Sequence, residues 1–189
     1  MLVAASMAAL AALALALPAA ALYALSLPRW LVSLTAAAHP GVVFRVPLRR
    51  RRLVALTLDD APGELTPQLL ALLAAHGARA TFFVIADAAE RHPQRLADIA
   101  ARGHELGNHM ARDEPSWRLA PRDFAAQVAA VEALLARHRP EEAGTRRRWF
   151  RPGHGVFRPH MMATLRAHGL TGALGSAYGC APPAGGRMR

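Results

Sequence analysis

Two adjacent aspartates, Asp59 and Asp60, are the first residues along the chain whose types and spacing could support chemistry. They follow residues 53–58, an apolar run of strand length without polar alternation, as a buried parallel strand would have. Neighbouring carboxylates are costly to hold together unless a cation or a proton relieves their repulsion. One of them can therefore bind a metal while the other handles protons, although a solvated turn would have a similar composition.

A second set of polar residues ends in His109, with Asp113 four residues later. On one helical turn this spacing would direct both side chains the same way, as paired metal ligands require. An imidazole combined with carboxylates suits zinc or another divalent transition metal. His104 lies on the strand side of this segment, where a structural or supporting role is expected, and any one of these histidines taken alone is more often structural than a ligand.

A third set occupies residues 148–155, which read Arg-Trp-Phe-Arg-Pro-Gly-His-Gly. The two glycines permit a tight backbone approach. Exposed backbone N–H groups in such a loop could stabilise an oxyanion, and Arg151 could orient a carboxylate bidentately.

The elements that must position these sets alternate between strands and helices. We predict strands over residues 53–58, 80–85 and 105–108, from 149, and over 172–177, with helices over 66–76, 88–102, 121–138 and 159–168. This alternation favours parallel βα units in an open doubly wound sheet or a barrel. The polar residues cluster just after the strands, where both architectures place their active sites.

Taken in order, the three sets resemble the motifs of the polysaccharide deacetylase family, the NodB-like carbohydrate esterases that include chitin and peptidoglycan deacetylases. Residues 57–62, Thr-Leu-Asp-Asp-Ala-Pro, look like the family's first motif, usually written TFDDGP. The resemblance continues through residues 78–84, Ala-Arg-Ala-Thr-Phe-Phe-Val, and 103–109, Gly-His-Glu-Leu-Gly-Asn-His. Residues 151–155, Arg-Pro-Gly-His-Gly, look like its third motif, and the whole match covers roughly residues 53–176.

The resemblance implies a metal-dependent hydrolase that removes N-acetyl groups from a polysaccharide such as chitin. Asp60 and His109 would bind the metal, and Asp113 stands where family members usually have a second histidine. A carboxylate there adds negative charge, which should raise the pKa of bound water and weaken Lewis acidity. Zinc is the expected metal, with cobalt or manganese as alternatives.

The same resemblance assigns the acid–base groups. Asp59 would be the general base that activates water, and Arg151 would steer it. The backbone N–H of His154 would help to hold the tetrahedral oxyanion.

The family's fold is a distorted (β/α) barrel of about seven strands, and the sequence predicts about five, so we expect a barrel that is incomplete at its C-terminal end. The family's fourth motif should place an aspartate near residues 175–177, which are Gly-Ser-Ala. No sequence remains for the fifth motif, whose histidine protonates the leaving amine. General acid catalysis typically contributes about 10² to 10⁴ in rate, so any activity of this chain is expected to be weak.

The first 28 residues contain no charged side chain and are long enough to cross a membrane. A transmembrane anchor and a secretory signal segment are both open, because small residues could supply a cleavage site whereas a basic leading region is missing. The predicted localisation is membrane-anchored or secreted, with the orientation open. Residues 29–52 are predicted to be a linker, 53–178 a truncated deacetylase domain and 179–189 an irregular tail.

The formal net charge of +10 suits an anionic lipid, an acidic polymer or a nucleic acid. Arginines in short clusters with only two tyrosines argue against nucleic acid, which usually needs aromatic residues for base stacking. A single cysteine, Cys180, excludes an intrachain disulfide and a thiolate metal cluster. Two alternatives to the enzyme stay open: a catalytically impaired carbohydrate-binding or scaffold protein derived from this family, and a membrane-associated basic protein.

Overall fold

A computed structural model of the protein describes residues 29–46, 53–139 and 147–176. The predicted membrane or signal segment, Cys180 and the tail over 179–189 lie outside these ranges. Within them, no helix has the length and apolar character needed to cross a membrane. The described residues divide into two compact units, one with residues 29–40 and 175–176 and the other with residues 41–46, 53–139 and 147–174.

The first unit contains helix α1 (Arg29–Ala38) among its described residues. The segment predicted to be a linker, residues 29–52, therefore begins with a helix, and it also contains the first strand of the second unit, β1 (Val42–Val43). A two-residue strand leaves almost no periodic signal in a sequence, so it was not predicted.

The second unit is built on a six-stranded sheet whose neighbouring strands are all parallel, in the order β1-β6-β5-β4-β3-β2. After β1 the strands are β2 (Thr57–Ala61), β3 (Thr81–Val84), β4 (Glu105–Asn108), β5 (Arg148–Phe150) and β6 (Leu170–Ala173). The prediction of parallel βα units is confirmed. The first predicted strand was placed too early, because residues 53–56 are exposed and the aspartate pair lies inside β2 rather than after it.

Helices connect these strands: α2 (Thr66–Ala75), α3 (Ala86–Arg91), α4 (Pro93–Ala101), α5 (Pro121–Ala136) and α6 (Pro159–Ala167). The helix predicted over 88–102 is two helices. Pro93 lacks an N–H donor and disfavours helical backbone at the residue before it, and His92 accordingly has φ −134° and ψ 57°.

Two clusters of buried apolar side chains hold the helices on the sheet. The first involves β2, β3, β4, α2 and α4, and the second is centred on Phe124, Phe150 and Met161. Helix α5 belongs to both, through Val131 and Leu135 in the first cluster and Phe124 and Val128 in the second. Because α5 packs into both clusters, it also brings polar side chains close to the strand ends, as described below.

Candidate metal and catalytic site

The aspartate pair lies at a β-bulge in β2. Leu58 pairs with Phe82 and Ala61 with Val84, so β2 contains one more residue than β3 over this stretch. Successive side chains of a regular strand point to opposite faces of the sheet, and a bulge re-aims them. Asp60 also has a positive φ of 56°. The bulge therefore explains how two adjacent carboxylates can both contribute to one site.

Asp59 is held by Arg151, which follows β5. Its Oδ1 accepts a hydrogen bond from Arg151 Nη1 at 2.5 Å. The same nitrogen donates to Thr57 Oγ1 at 3.0 Å, and Arg151 Nε donates to the carbonyl of Ala173 at 3.2 Å. The guanidinium lies 4.1 Å from the ring centroid of Phe83. Arg151 thus holds one oxygen of Asp59 through one nitrogen, where the sequence had predicted a bidentate contact.

Gly107, on the neighbouring strand, leaves space for the Phe83 ring. The two residues are paired in the register of β3 and β4. A Cβ atom at position 107 would lie 2.7 Å from the Phe83 ring, closer than real contacts allow. The absence of a side chain at Gly107 therefore makes room for the ring against which Arg151 packs.

His109 follows β4 and is buried, with 7% of its surface exposed. Its Nδ1 lies 2.7 Å from the carbonyl oxygen of Arg151, and because a carbonyl can only accept, Nδ1 carries the proton. The lone pair is then on Nε2, which lies 3.5 Å from Asp60 Oδ1. This is the arrangement typical of metal-binding histidines, whose other ring nitrogen donates to a carbonyl or carboxylate.

The turn that carries His109 is fixed by Asn108, which is fully buried. Asn108 Oδ1 accepts from the N–H of Met110 at 3.0 Å, and Met110 has a positive φ of 75°. Asn108 Nδ2 donates to the carbonyl of Val128 and to Glu132 Oε1. Sequence reasoning missed both Asn108 and Glu132. The available signal was a single carboxylate, Glu132, among the apolar residues of α5 that face the core.

Asp60 experiences competing electrostatic effects. Burial raises the pKa of its carboxyl group above the ordinary value, the adjacent His109 opposes that rise, and the negative charges of Asp113 and Asp59 add to it. A cation at this position would relieve the burial and repulsion that favour the protonated acid.

Asp113 is less closely engaged than predicted. The expectation of one helical turn over residues 109–113 is wrong, because the positive φ of Met110 ends any regular helix there. Asp113 is exposed, although it lies near enough to Asp60 to influence that carboxyl's pKa. Among the described residues, no three His, Cys, Asp or Glu side chains converge closely enough to hold a metal ion.

The donor chemistry at this site nevertheless fits a divalent transition metal. His109 presents a lone pair on Nε2 towards an oxygen of Asp60, and an imidazole with carboxylates suits zinc and its neighbours. His109 and Asp60 would be the residues that hold such an ion, and Asp113 is a further carboxylate whose charge influences Asp60.

The loop after β5 packs closely against the segment before α5. Gly153 N–H donates to Ser116 Oγ at 2.8 Å, and a Cβ at position 153 would lie 2.2 Å from the carbonyl oxygen of Glu114. The prediction that a glycine here allows close backbone approach is confirmed. His154 lies in the 3₁₀ turn Gly153–Gly155 and has a positive φ of 61°.

The polysaccharide deacetylase family profile matches residues 48–173, most of the chain. The chain belongs to the polysaccharide deacetylase family. It is 35% identical over 103 residues to a peptidoglycan-N-acetylglucosamine deacetylase of Bacillus cereus, covering 54% of this chain and 36% of that protein. It is 33% identical over 118 residues to a chitooligosaccharide deacetylase of Sinorhizobium fredii, covering 62% of this chain and 54% of that protein.

This polysaccharide deacetylase domain also resembles solved structures. The crystal structure of a peptidoglycan N-acetylglucosamine deacetylase superposes with a TM-score of 0.63 at 28% identity, covering 70% of this chain and 60% of that one. The prediction of an α/β fold of the NodB type is thereby confirmed. The chain spans between about a third and about half of the length of the two curated relatives.

Proposed function

We propose that this chain is a metal-dependent hydrolase that removes N-acetyl groups from a polysaccharide of the chitin or peptidoglycan type. The observation that carries the proposal is a pair of adjacent aspartates with different partners. Asp59 is held by a buried arginine, and Asp60 faces the Nε2 lone pair of His109. The family match and the names of the two curated relatives support this class of substrate.

In this proposal the two aspartates have separate roles. Asp59 receives the proton of the attacking water on Oδ2, since Oδ1 is occupied by Arg151. Arg151 keeps the carboxylate oriented, because its own position is fixed by Thr57, Ala173 and Phe83.

His109 and Asp60 would hold a divalent ion, with zinc preferred and cobalt or manganese as alternatives. When bound, such an ion supplies Lewis acidity towards the amide carbonyl oxygen. The backbone N–H of His154 would donate to the same oxygen as negative charge develops on it.

The test is release of acetate from chitotetraose by the full chain with zinc, cobalt or manganese supplied. We expect metal-dependent release that falls by about 10² to 10⁴ in Asp59→Asn, the contribution typical of a positioned general base. Asp123→Asn, which changes an exposed aspartate on α5, is the matched control and should retain the rate. Absence of release with every metal, or equal rates for wild type and Asp59→Asn, would contradict the proposal.

A carbohydrate-binding or scaffold protein derived from the same family is the second candidate. It is favoured by the position of Asp113, which does not complete a three-residue metal site with Asp60 and His109. This candidate predicts that chitotetraose binds without acetate release, and that Asp59→Asn binds it as tightly as wild type. Calorimetry combined with the acetate assay separates the two.

Localisation at a membrane or outside the cell remains a prediction from the apolar residues 1–28. The full chain should float with liposomes if this segment is an anchor, and a chain beginning at residue 29 should not. Flotation of the shortened chain would contradict an anchoring role for residues 1–28.

A further inference from the structure

A cationic cluster, defined here as Trp117, Arg118 and Arg158, borders the loop that follows β5 and has no role in the proposed mechanism. The guanidinium carbon of Arg118 lies 4.9 Å from the centroid of the Trp117 ring, and that of Arg158 lies 5.5 Å from it. Trp117 is partly buried, whereas both arginines are exposed. Two exposed guanidinium groups therefore lie close to one aromatic ring.

Neither arginine of this cluster has an ion-pair partner among the described residues. Within the described residues, no carboxylate oxygen lies within 4.0 Å of a guanidinium nitrogen of Arg118 or Arg158. Contacts with an aromatic face fix the position of a guanidinium but leave its N–H groups free to donate. Two such groups on one ring repel each other, and a bound anion would relieve that repulsion.

The cluster is attached to the same loop as the candidate catalytic groups. Trp117 and Arg118 belong to a 3₁₀ turn, Ser116–Arg118, and Ser116 Oγ accepts from the N–H of Gly153. Gly153 lies two residues after Arg151, which holds Asp59. Arg158 comes shortly after this loop, at the beginning of α6. The cluster and Arg151 are therefore held on one loop, which makes a neighbouring unit of a polymer bound at Asp59 the ligand to test at the cluster.

We propose that Trp117, Arg118 and Arg158 form a subsite for a carboxylate-bearing sugar unit next to the N-acetylated unit. Planar guanidinium groups match carboxylate geometry, and the formal net charge of +10 favours acidic polymers. The inference rests on the proposed function for its choice of a sugar ligand. The carboxylate can belong to a uronic acid or to the lactyl ether of a muramic acid, and both present the same charged group.

The experiment is calorimetric titration of the full-length Asp59→Asn variant, in which turnover is suppressed, with tetrasaccharides of matched length. The neutral probe is chitotetraose. One acidic probe alternates N-acetylglucosamine with glucuronate, and the other alternates it with N-acetylmuramic acid. We expect at least one acidic probe to bind about fivefold more tightly than the neutral one at low salt, with the preference shrinking as salt screens exposed charges.

Substitutions assign that preference to the cluster. Arg118→Gln with Arg158→Gln should bind all probes equally, and Arg166→Gln, which removes an exposed charge further along α6, should keep the preference. Trp117→Leu leaves the net charge unchanged yet should weaken the preference, whereas Trp117→Phe retains a ring and should preserve most of it.

Equal binding of neutral and acidic probes by the Asp59→Asn protein would overturn the inference, whether or not the wild-type chain releases acetate. An equal loss in Arg166→Gln and in the double variant would also overturn it, since net charge alone would then explain the preference. Failure of the proposed function has a different signature: the wild-type chain would prefer the acidic probes and release no acetate from any of them.

Discussion

Asp59 and Glu132 are both carboxylates held by arginine, but their surroundings differ. Glu132 is 9% exposed, and both of its oxygens accept hydrogen bonds. Arg139 donates to both oxygens, Arg148 to one and Asn108 to the other. Asp59 is 35% exposed and has a donor, Arg151, on Oδ1 alone within the described part of the chain.

This difference separates a structural carboxylate from one that can react. Each oxygen of Glu132 accepts two hydrogen bonds from protein side chains, which holds this carboxylate in one orientation. Asp59 is oriented through one oxygen, and its side chain is 35% exposed. The two sites are linked, because the Asn108 side chain that contacts Glu132 also fixes the turn carrying His109.

The strongest test of this comparison is Glu132→Gln. Removing the charge leaves Arg139 largely buried without its counter-ion, and breaking a buried pair in this way typically destabilises a protein by about 3 kcal/mol or more. We expect a loss of that size in the free energy of unfolding measured by urea denaturation. Glu90→Gln, on an exposed part of α3, should change it by less than about 0.5 kcal/mol. Equal effects of the two substitutions would mean that Glu132 is not structural.

Asp59→Asn should reduce activity strongly but should reduce the free energy of unfolding less than Glu132→Gln does. The asparagine oxygen can still accept from Arg151, and Arg151 keeps its contacts with Thr57, Ala173 and Phe83. We therefore expect a smaller loss of unfolding free energy than in Glu132→Gln, since Asp59 is 35% exposed and Glu132 only 9%. A loss as large as that of Glu132→Gln in the same urea experiment would show that Asp59 is a structural residue.

His104 gives a smaller effect, a contribution to the free energy of unfolding that depends on pH. Its Nδ1 accepts from the N–H of Ala80 at 3.3 Å, so the neutral ring is the one that fits. Burial lowers the pKa of His104, and the positive charges of Arg79 and Arg102 lower it further. A histidine in an unfolded chain has a pKa of about 6.5. As the pH falls, the unfolded state therefore binds a proton at His104 before the folded state does.

The stability contributed by neutral His104 is therefore fully present above about pH 6.5 and decreases as the pH falls below it. Urea denaturation at pH 7.5 and pH 5.5 should show a smaller loss of stability in His104→Gln than in wild type. His76→Gln, which changes an exposed histidine, serves as the control and should follow the wild-type curve. An unchanged pH dependence in His104→Gln would assign the acid sensitivity to other groups.

The sequence predicted the parts of this molecule that depend on local pattern. The central strands and the helices after β2 and β5 lie close to where their apolar periodicity placed them. The contact between Asp59 and Arg151, 92 residues apart in the chain, was implied by the family resemblance and not by local pattern. Two predictions were wrong for reasons that only the structure reveals. The bulge at Asp59 and Asp60 depends on the register of β2 against β3, and the loss of the helical turn after His109 depends on the backbone of Met110.

The polar contacts around Asn108 were unpredictable for another reason. Glu132, Arg139 and Arg148 come from α5, the residues just after it and β5, and nothing in the local pattern of any one of them indicates the other two. Only the packing of α5 against the sheet brings them together. Buried polar contacts of this kind are specified by tertiary structure, whereas the residues proposed for metal binding and acid–base chemistry stand in motifs.

The close packing of Gly107 against the Phe83 ring limits which substitutions evolution can accept at these positions. Any side chain at position 107 requires a smaller residue at position 83, and a smaller residue there removes the surface against which Arg151 packs. Substitutions at these three positions should therefore be strongly non-additive, because residues in direct contact share their energetic effects. A lineage could leave this combination only through a poorly functioning intermediate, so the three residues are expected to change together or not at all.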